Sequence, residues 1–242
     1  LLAVPSFAFT SILNEYADAW PSDLPLVWAT KGIEPQSLKL LDEVATDILP
    51  GRDLACLSGP SFAHEVTRQL PTAVVIASAN TEFGHRIQSL FHTSYFRTYF
   101  CSDIKGAQLG GATKNILAIG VGISDGMGFG ANAKAGLITR GLAEMQRLGA
   151  HYHIDPTTLM GLSGLGDIIL SCSDSQSRNR RFGLALGKGQ SISEAKTSIG
   201  QVVEGIDATG SIFKLSQQHQ IEMPITEQVF EILFKKKHKW FR

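Results

Sequence analysis

Residues 105–127 have the sequence KGAQLGGATKNILAIGVGISDGM, and the character of the chain changes at this segment. It is rich in Gly and Ala, and its charged residues are Lys105, Lys114 and Asp125. A helix that is apolar on every side is buried at the centre of a domain, so we predict a central helix here. Further helices are predicted at 131–148, 178–187, 192–198, 205–219 and 225–235.

Upstream of residue 104, short apolar runs alternate with helical patterns. Strands are predicted at 1–5, 26–30, 55–58, 73–77 and 96–101, and helices at 9–20, 36–48, 61–69 and 82–92. Continuous apolar strands separated by helices indicate a parallel sheet covered on both faces. Ligands bind beyond the carboxyl ends of such strands, so Lys31 and Ser61 are placed at the functional edge. The sequence predicts an α/β domain over 1–104 and an all-helical domain over 105–242.

The composition argues against several classes of function. The 242 residues contain 22 Lys+Arg and 22 Asp+Glu, a net charge of +0, which favours neither nucleic acid nor anionic lipid as a partner. Cys56, Cys101 and Cys172 are scattered and odd in number, which indicates a reducing cytoplasm and no metal site. No apolar run is long enough to span a bilayer.

The two ends of the chain are unusual. The first residues, LLAVPS, have the pattern of a buried strand that enters a loop, and residues 234–242 form an unpatterned basic and aromatic tail. A central strand needs neighbours on both sides. We therefore expect the chain to be a fragment.

Lys114 is the strongest catalytic candidate, because it lies inside the most apolar predicted helix. A lysine at such a position is paired, functional, or reaches the surface past small neighbours, since burying an ammonium without a partner is unfavourable. A desolvated lysine suits a general acid or base.

Three further groups are ambiguous from the residues alone. Asp167 follows the glycine-rich GLSGLG at 161–166 and could cap a helix, bind a polyol or orient Lys114. Glu204 is by default a surface acid. Residues 177–181, SRNRR, combine three guanidiniums with an amide, which is typical of an anion pocket but also of a solvated helix start.

Taken in order, the motifs of the chain resemble the bacterial NAD(P)-dependent glycerol-3-phosphate dehydrogenase family. The matching strings are ATKG at 29–32, LSGPSFA at 57–63, QLGGATKN at 108–115, GFGANAK at 128–134, TRGLAEM at 139–145, GLGD at 164–167, SRNRRFG at 177–183, QVVEG at 201–205 and MPIT at 223–226. Each string alone is weak, but the ordered set covers nearly the whole chain and is highly specific.

The resemblance implies a Rossmann domain over 1–104, followed by a helical substrate domain. It implies reversible reduction of dihydroxyacetone phosphate to sn-glycerol 3-phosphate with NADPH or NADH, which feeds glycerophospholipid synthesis. Lys114 would be the proton donor and acceptor. The implied substrate ligands are Lys31, Gly59, Ser61, Lys114, Asp167, Ser177, Arg178 and Asn179. The implied cofactor contacts are Lys31, Ala63, Arg178, Val202 and Glu204.

Some questions stay open at this stage. Arg180 and Arg181 could be only a charged helix face. The family's glycine fingerprint, which holds the pyrophosphate, is not in this sequence, so we expect the polypeptide alone to have little or no dehydrogenase activity. The alternatives are a related dehydrogenase for a hydroxy acid or sugar acid phosphate, and a noncatalytic binding module. The preference between NADH and NADPH, and a homodimer through the helical domain, are left open.

Overall fold

The computed structural model describes residues 1–235, so residues 236–242 of the predicted basic tail lie outside the described part. The chain divides into two compact units. The first, the α/β unit, contains Leu1–Ala112 and Tyr152–Asp167, and the second, the helical unit, contains Thr113–His151 and the chain from Ile168 onward. The domain boundary between 104 and 105 stays a prediction.

The helices follow the sequence pattern closely. In chain order the α-helices are α1 Ser6–Tyr16, α2 Leu41–Ile48, α3 Ala63–Thr67, α4 Thr81–Phe91, α5 Ile104–Gly126, α6 Gly130–His151, α7 Pro156–Met160, α8 Asp167–Ser173, α9 Arg178–Gly187, α10 Ile192–Ile199, α11 Glu204–Gln218 and α12 Pro224–Lys235. Every helix predicted from the sequence overlaps one of these. The sequence did not predict α7, α8 or the π-helical segment Leu162–Gly166.

The α/β unit is built on a sheet whose strands lie in the order of the chain: β1 Leu26–Trp28, β2 Leu54–Ser58, β3 Thr72–Ala77 and β4 Phe96–Cys101. β1 and β2 are parallel, as are β3 and β4. The predicted strand at 1–5 is reduced to a single parallel bridge between Leu2 and Trp28.

The prediction of an entirely parallel sheet is wrong at one place, because β2 and β3 are antiparallel. The connection between them contains only α3, a helix of 5 residues. A parallel connection must carry the chain back along the whole strand, usually through a longer helix. The short connection instead reverses the direction of the chain.

Both faces of the sheet are covered, as predicted. Trp28 packs with Phe9 of α1 and Leu41 of α2 on one face, and the rings of Phe9 and Trp28 meet edge to face at 5.8 Å. Val27, the strand residue between Leu26 and Trp28, packs with Phe83 of α4 on the other face. This alternation follows from the two-residue period of a strand.

In the helical unit, α5 and α9 pack with their backbones in contact. A Cβ on Gly122 of α5 would lie 2.2 Å from the carbonyl oxygen of Arg180, and one on Gly183 of α9 would lie 2.1 Å from that of Ile119. Only glycine permits this approach. The predicted central helix is confirmed, since residues 106–124 of α5 are buried throughout.

Glu144 of α6 connects α6 to the start of α12. Its buried carboxylate accepts hydrogen bonds from the backbone N–H of Ile225, from the N–H of Thr226 at 3.1 Å and from the Thr226 hydroxyl at 2.9 Å. The first N–H groups of a helix have no partner within the helix. Glu144 therefore supplies the cap of α12 from another helix.

We expect Glu144→Gln to lower the free energy of unfolding by about 1–3 kcal/mol, because an amide cannot accept from all these donors with its single oxygen. Urea unfolding followed by circular dichroism measures the change. A variant as stable as the parent would contradict the capping role.

The effect of Glu144 should also depend on pH. Burial raises the pKa of its carboxyl group, so the native state holds the proton at a higher pH than the unfolded chain. The stabilisation from this linkage is present below the unfolded pKa of about 4.3 and is lost as pH rises through the raised native pKa. Stability relative to Glu144→Gln should thus fall over that window, and a constant difference would contradict the raised pKa.

Candidate active site

Lys31 is the centre of the polar cluster in the α/β unit. It follows β1, and its Nζ donates to the carbonyl oxygen of Gly59, after β2, at 2.9 Å. Because β1 and β2 are parallel, both residues lie at the carboxyl edge of the sheet, which confirms the predicted placement of Lys31. Lys31 Nζ also donates to the carboxylate of Asp167, which is fully buried.

Gly59 and Ser61 form the neighbouring turn. Gly59 has φ +137°, and a Cβ there would lie 3.1 Å from Val74 Cα, so the turn requires glycine. The Ser61 hydroxyl donates to the same Gly59 carbonyl at 3.1 Å. Ala63 begins α3 and is exposed. The structure therefore brings Lys31, Gly59, Ser61 and Asp167 into one hydrogen-bonded cluster.

Lys114 lies in the helical unit, on α5. Its residue surface is only 8% exposed, so the side chain lies largely within the protein. Its Nζ donates to the hydroxyl of buried Ser171 on α8 at 3.1 Å. The geometry holds an ammonium group in the protein interior with a fixed direction, as a proton donor requires.

Ser171 was missed by the sequence analysis. The available signal was a hydroxyl within IILSC at 168–172, the apolar run after the glycine-rich segment. Serine in an apolar helix commonly bonds to its own backbone, so the pattern did not distinguish this residue. Its contact with Lys114 places it beside the strongest catalytic candidate.

Residues 177–181 have different roles in the structure. Ser177 is the N-cap of α9, and its hydroxyl accepts from the N–H of Arg180 at 3.3 Å. Arg178 and Asn179 are the first two residues of the helix. The Arg180 guanidinium donates to Asp125 through Nε at 3.0 Å and Nη2 at 2.5 Å, whereas Arg181 is exposed.

Asn179 also connects α9 to the start of α11, which is Glu204. The side-chain oxygen of Asn179 accepts from the N–H of Gly205 at 2.9 Å. A Cβ on Gly205 would lie 2.7 Å from that oxygen and 2.9 Å from the carbonyl of Asn115. The residue after Lys114, the start of α9 and the start of α11 therefore meet at Gly205.

Val202 precedes α11 and is 50% exposed. It lines a surface cavity together with Lys196 and Gln201. An exposed apolar side chain beside an acidic helix start suits contact with a ligand that has both apolar and polar parts.

Within residues 1–235, no cluster of three or more His, Cys, Asp or Glu could hold a metal ion. In the same part of the chain, no helix is both long and apolar enough to cross a membrane. Cys56, Cys101 and Cys172 are free thiols.

A sheet unit with polar residues at its strand ends and a helical unit with a buried lysine define a two-part, Rossmann-type dehydrogenase. The family comparison agrees. A model of the NAD-dependent glycerol-3-phosphate dehydrogenase N-terminus matches residues 1–84, and one of its C-terminus matches residues 103–239. The chain belongs to the NAD-dependent glycerol-3-phosphate dehydrogenase family.

Individual relatives agree with this assignment. Glycerol-3-phosphate dehydrogenase [NAD(P)+] of Glaesserella parasuis is 52% identical over 240 residues, 98% of this chain and 71% of the relative. The enzyme of the same name from Yersinia pestis is 50% identical, over 97% of this chain and 70% of its own length. The crystal structure of glycerol-3-phosphate dehydrogenase from Coxiella burnetii superposes with a TM-score of 0.95 at 46% identity, covering 98% of this chain and 72% of that structure.

The family resemblance and the α/β plus helical fold class inferred from the sequence are thereby confirmed. The roles assigned to individual site residues stay predictions.

We expect Asp167→Asn to lower the free energy of unfolding by about 3 kcal/mol, because removing one partner of a buried ion pair leaves the other charge poorly compensated. The matched control is Asp47→Asn, since Asp47 accepts from Lys39 at 2.7 Å in an exposed pair. Exposed pairs contribute little, so the control should unfold like the parent. Equal losses in the two variants, measured by urea unfolding, would contradict a special role for the buried pair.

Proposed function

We propose that this protein catalyses the reversible reduction of dihydroxyacetone phosphate to sn-glycerol 3-phosphate with NADH or NADPH. The observation that carries the proposal is the buried Lys114 ammonium, held by the Ser171 hydroxyl at 3.1 Å. The identities of the proposed substrate and cofactor are inferred from membership of the family.

Reduction of a ketone needs a proton donor at the carbonyl oxygen. A bound nicotinamide cofactor would provide the hydride for the ketone carbon, and Lys114 would donate a proton to the oxygen as negative charge develops there. A cation aimed at that oxygen also stabilises the transition state, and its effect is larger away from water. In the reverse direction the Lys114 amine accepts the hydroxyl proton.

The phosphate of the substrate is assigned to the start of α9. The first turn of a helix presents backbone N–H groups and a positive dipole to an anion. Ser177 accepts from the N–H of Arg180 and of Arg181, so the backbone donors offered to a ligand are those of Arg178 and Asn179. The Arg178 guanidinium adds a charged fork that matches phosphate oxygens.

The remaining assignments follow the family resemblance. Lys31, Gly59, Ser61, Asp167 and Ser177 complete the proposed substrate ligands. The proposed cofactor contacts are Lys31, Ala63, Arg178, Val202 and Glu204. These residues fit a dinucleotide chemically, because two cations suit its phosphates, a carboxylate suits its hydroxyl groups and apolar side chains suit its rings.

We also propose a cytoplasmic enzyme that feeds glycerophospholipid synthesis and has no nucleic-acid partner. The balanced charge and the free thiols support this proposal. A homodimer through the helical domain, 105–242, is the oligomeric state to test.

Lys114→Ala tests the chemical step. In the enzyme expressed from its complete coding sequence, we expect kcat to fall about 10³-fold, the usual range for losing a general acid. NADPH oxidation with dihydroxyacetone phosphate as substrate measures the change. The parent enzyme is also assayed in the oxidative direction with a hydroxy acid and with a sugar acid phosphate as alternative substrates. Turnover like that of the parent would rule out Lys114 as the proton donor. Preference for another substrate, or a folded parent that binds no cofactor, would reject the proposed reaction.

Arg178→Ala tests the phosphate assignment. Losing a charged hydrogen bond worth about 2–3 kcal/mol should raise KM for dihydroxyacetone phosphate about 30- to 140-fold. Arg181→Ala is the control, because Arg181 has the same chemistry three residues later and is exposed. Equal KM values in the two variants would show that Arg178 does not hold the phosphate.

A further inference from the structure

Asp125, near the end of α5, lies at the centre of a charged cluster in the helical unit. Its Oδ2 accepts from Nη2 of Arg180 at 2.5 Å and from Nζ of Lys134 at 2.9 Å. Only 12% of the Asp125 side-chain surface is exposed, and 15% of that of Arg180. The cluster joins α5, α6 and α9 at a largely buried point.

Two of these three helices, α5 and α9, also meet through glycines, and each helix contributes two glycines four residues apart. Gly122 and Gly126 of α5 face Gly183 and Gly187 of α9. A Cβ on Gly126 would lie 2.5 Å from the carbonyl of Leu184, and one on Gly187 would lie 2.3 Å from that of Ile123. These contacts set a very short distance between the helices.

The glycine contacts bring the helices close, and the backbone atoms that meet there restrict how one helix slides along the other. Interdigitated ridges and grooves are what normally fix the register of one helix along another. Here a side-chain bond adds a directional constraint on that register. Arg180 supplies it, because its Nε and Nη2 both donate to one oxygen of Asp125, and charge-assisted bonds of this kind are strong and directional.

The bond to Asp125 also offsets an unfavourable charge at the start of α9. Arg180 lies in the first turn of α9, where the structure has no acidic residue of the helix itself, and a cation there opposes the helix dipole. Asp125 offsets this unfavourable charge. The two preceding residues are Arg178 and Asn179, the proposed ligands of the substrate phosphate.

We propose that Asp125 is a positioning residue that sets where the phosphate-binding start of α9 lies relative to Lys114 on α5. This inference rests on the proposed function. Asp125 is about 16 Å from Lys114 along the axis of α5, at 1.5 Å per residue. It therefore acts through Arg180 and not by contact with the reacting atoms.

The first test is Asp125→Asn in the enzyme expressed from its complete coding sequence. A displaced start of α9 weakens the proposed phosphate contacts of Arg178 and Asn179, so we expect KM for dihydroxyacetone phosphate to rise about tenfold. The inhibition constant of inorganic phosphate, used as a competitor, should rise in parallel. Because Lys114 and Ser171 are untouched, kcat should change less than about threefold.

Conservative variants separate positioning from stability. Arg180→Lys keeps the charge but loses the two-nitrogen fork, so its KM should lie between those of the parent and Asp125→Asn. Asp125→Glu keeps a carboxylate and should restore part of the affinity. Asp47→Asn, in the exposed pair with Lys39, should leave both constants unchanged.

A merely structural role would lower Tm in Asp125→Asn without changing KM or the phosphate inhibition constant, and that result overturns the proposal. If Asp125→Asn does not fold, Arg180→Lys and Arg180→Gln give the same readouts, because both weaken the bond to Asp125. Unchanged constants in those folded variants overturn the proposal equally.

The proposed function and the positioning role fail in different ways. If Arg178→Ala leaves KM unchanged, the phosphate assignment is wrong and the positioning role falls with it. If Arg178→Ala raises KM but Asp125→Asn does not, the phosphate assignment stands and only the positioning role is rejected.

Discussion

Close packing of backbones around α5 is the constraint on which the helical unit depends. At Gly122 and Gly183 the helices α5 and α9 leave no space for a Cβ, and at Gly205 the start of α11 approaches Asn115 as closely. Helices in this arrangement bury residues 106–124 of α5, including Lys114. The close packing contributes to the burial of the ammonium, because it reduces the gaps through which a lysine normally reaches water.

Burial of this kind is unfavourable unless each polar group has a partner, and the structure shows how partners are supplied. Lys114 donates to Ser171, Glu144 accepts from the start of α12, and Lys31 is paired with Asp167 in the α/β unit. A buried ion pair such as the last is weak support for stability, since desolvation offsets the attraction. What the pair does supply is direction, because it fixes the orientation of two charged groups.

The sequence predicted the elements with strong periodicity and missed features that depend on distant partners. α9 was predicted with its observed bounds, because a cap, a basic start and a glycine end mark it locally. The antiparallel pairing of β2 and β3 was missed, because a buried apolar strand has the same pattern in either direction. α8 was missed because glycines precede it, and Ser171 because its partner Lys114 is 57 positions away.

The cluster at 177–181 shows why charge alone did not define the site. Its residues are adjacent in the sequence but have different partners. Ser177 caps the helix, Asn179 accepts a hydrogen bond from Gly205, and Arg180 binds Asp125. An arginine committed to a buried carboxylate has its fork occupied, so it is a poor candidate for a ligand's phosphate. The proposed phosphate contact therefore falls to Arg178, because it begins α9, while Arg180 is paired with Asp125 and Arg181 is exposed.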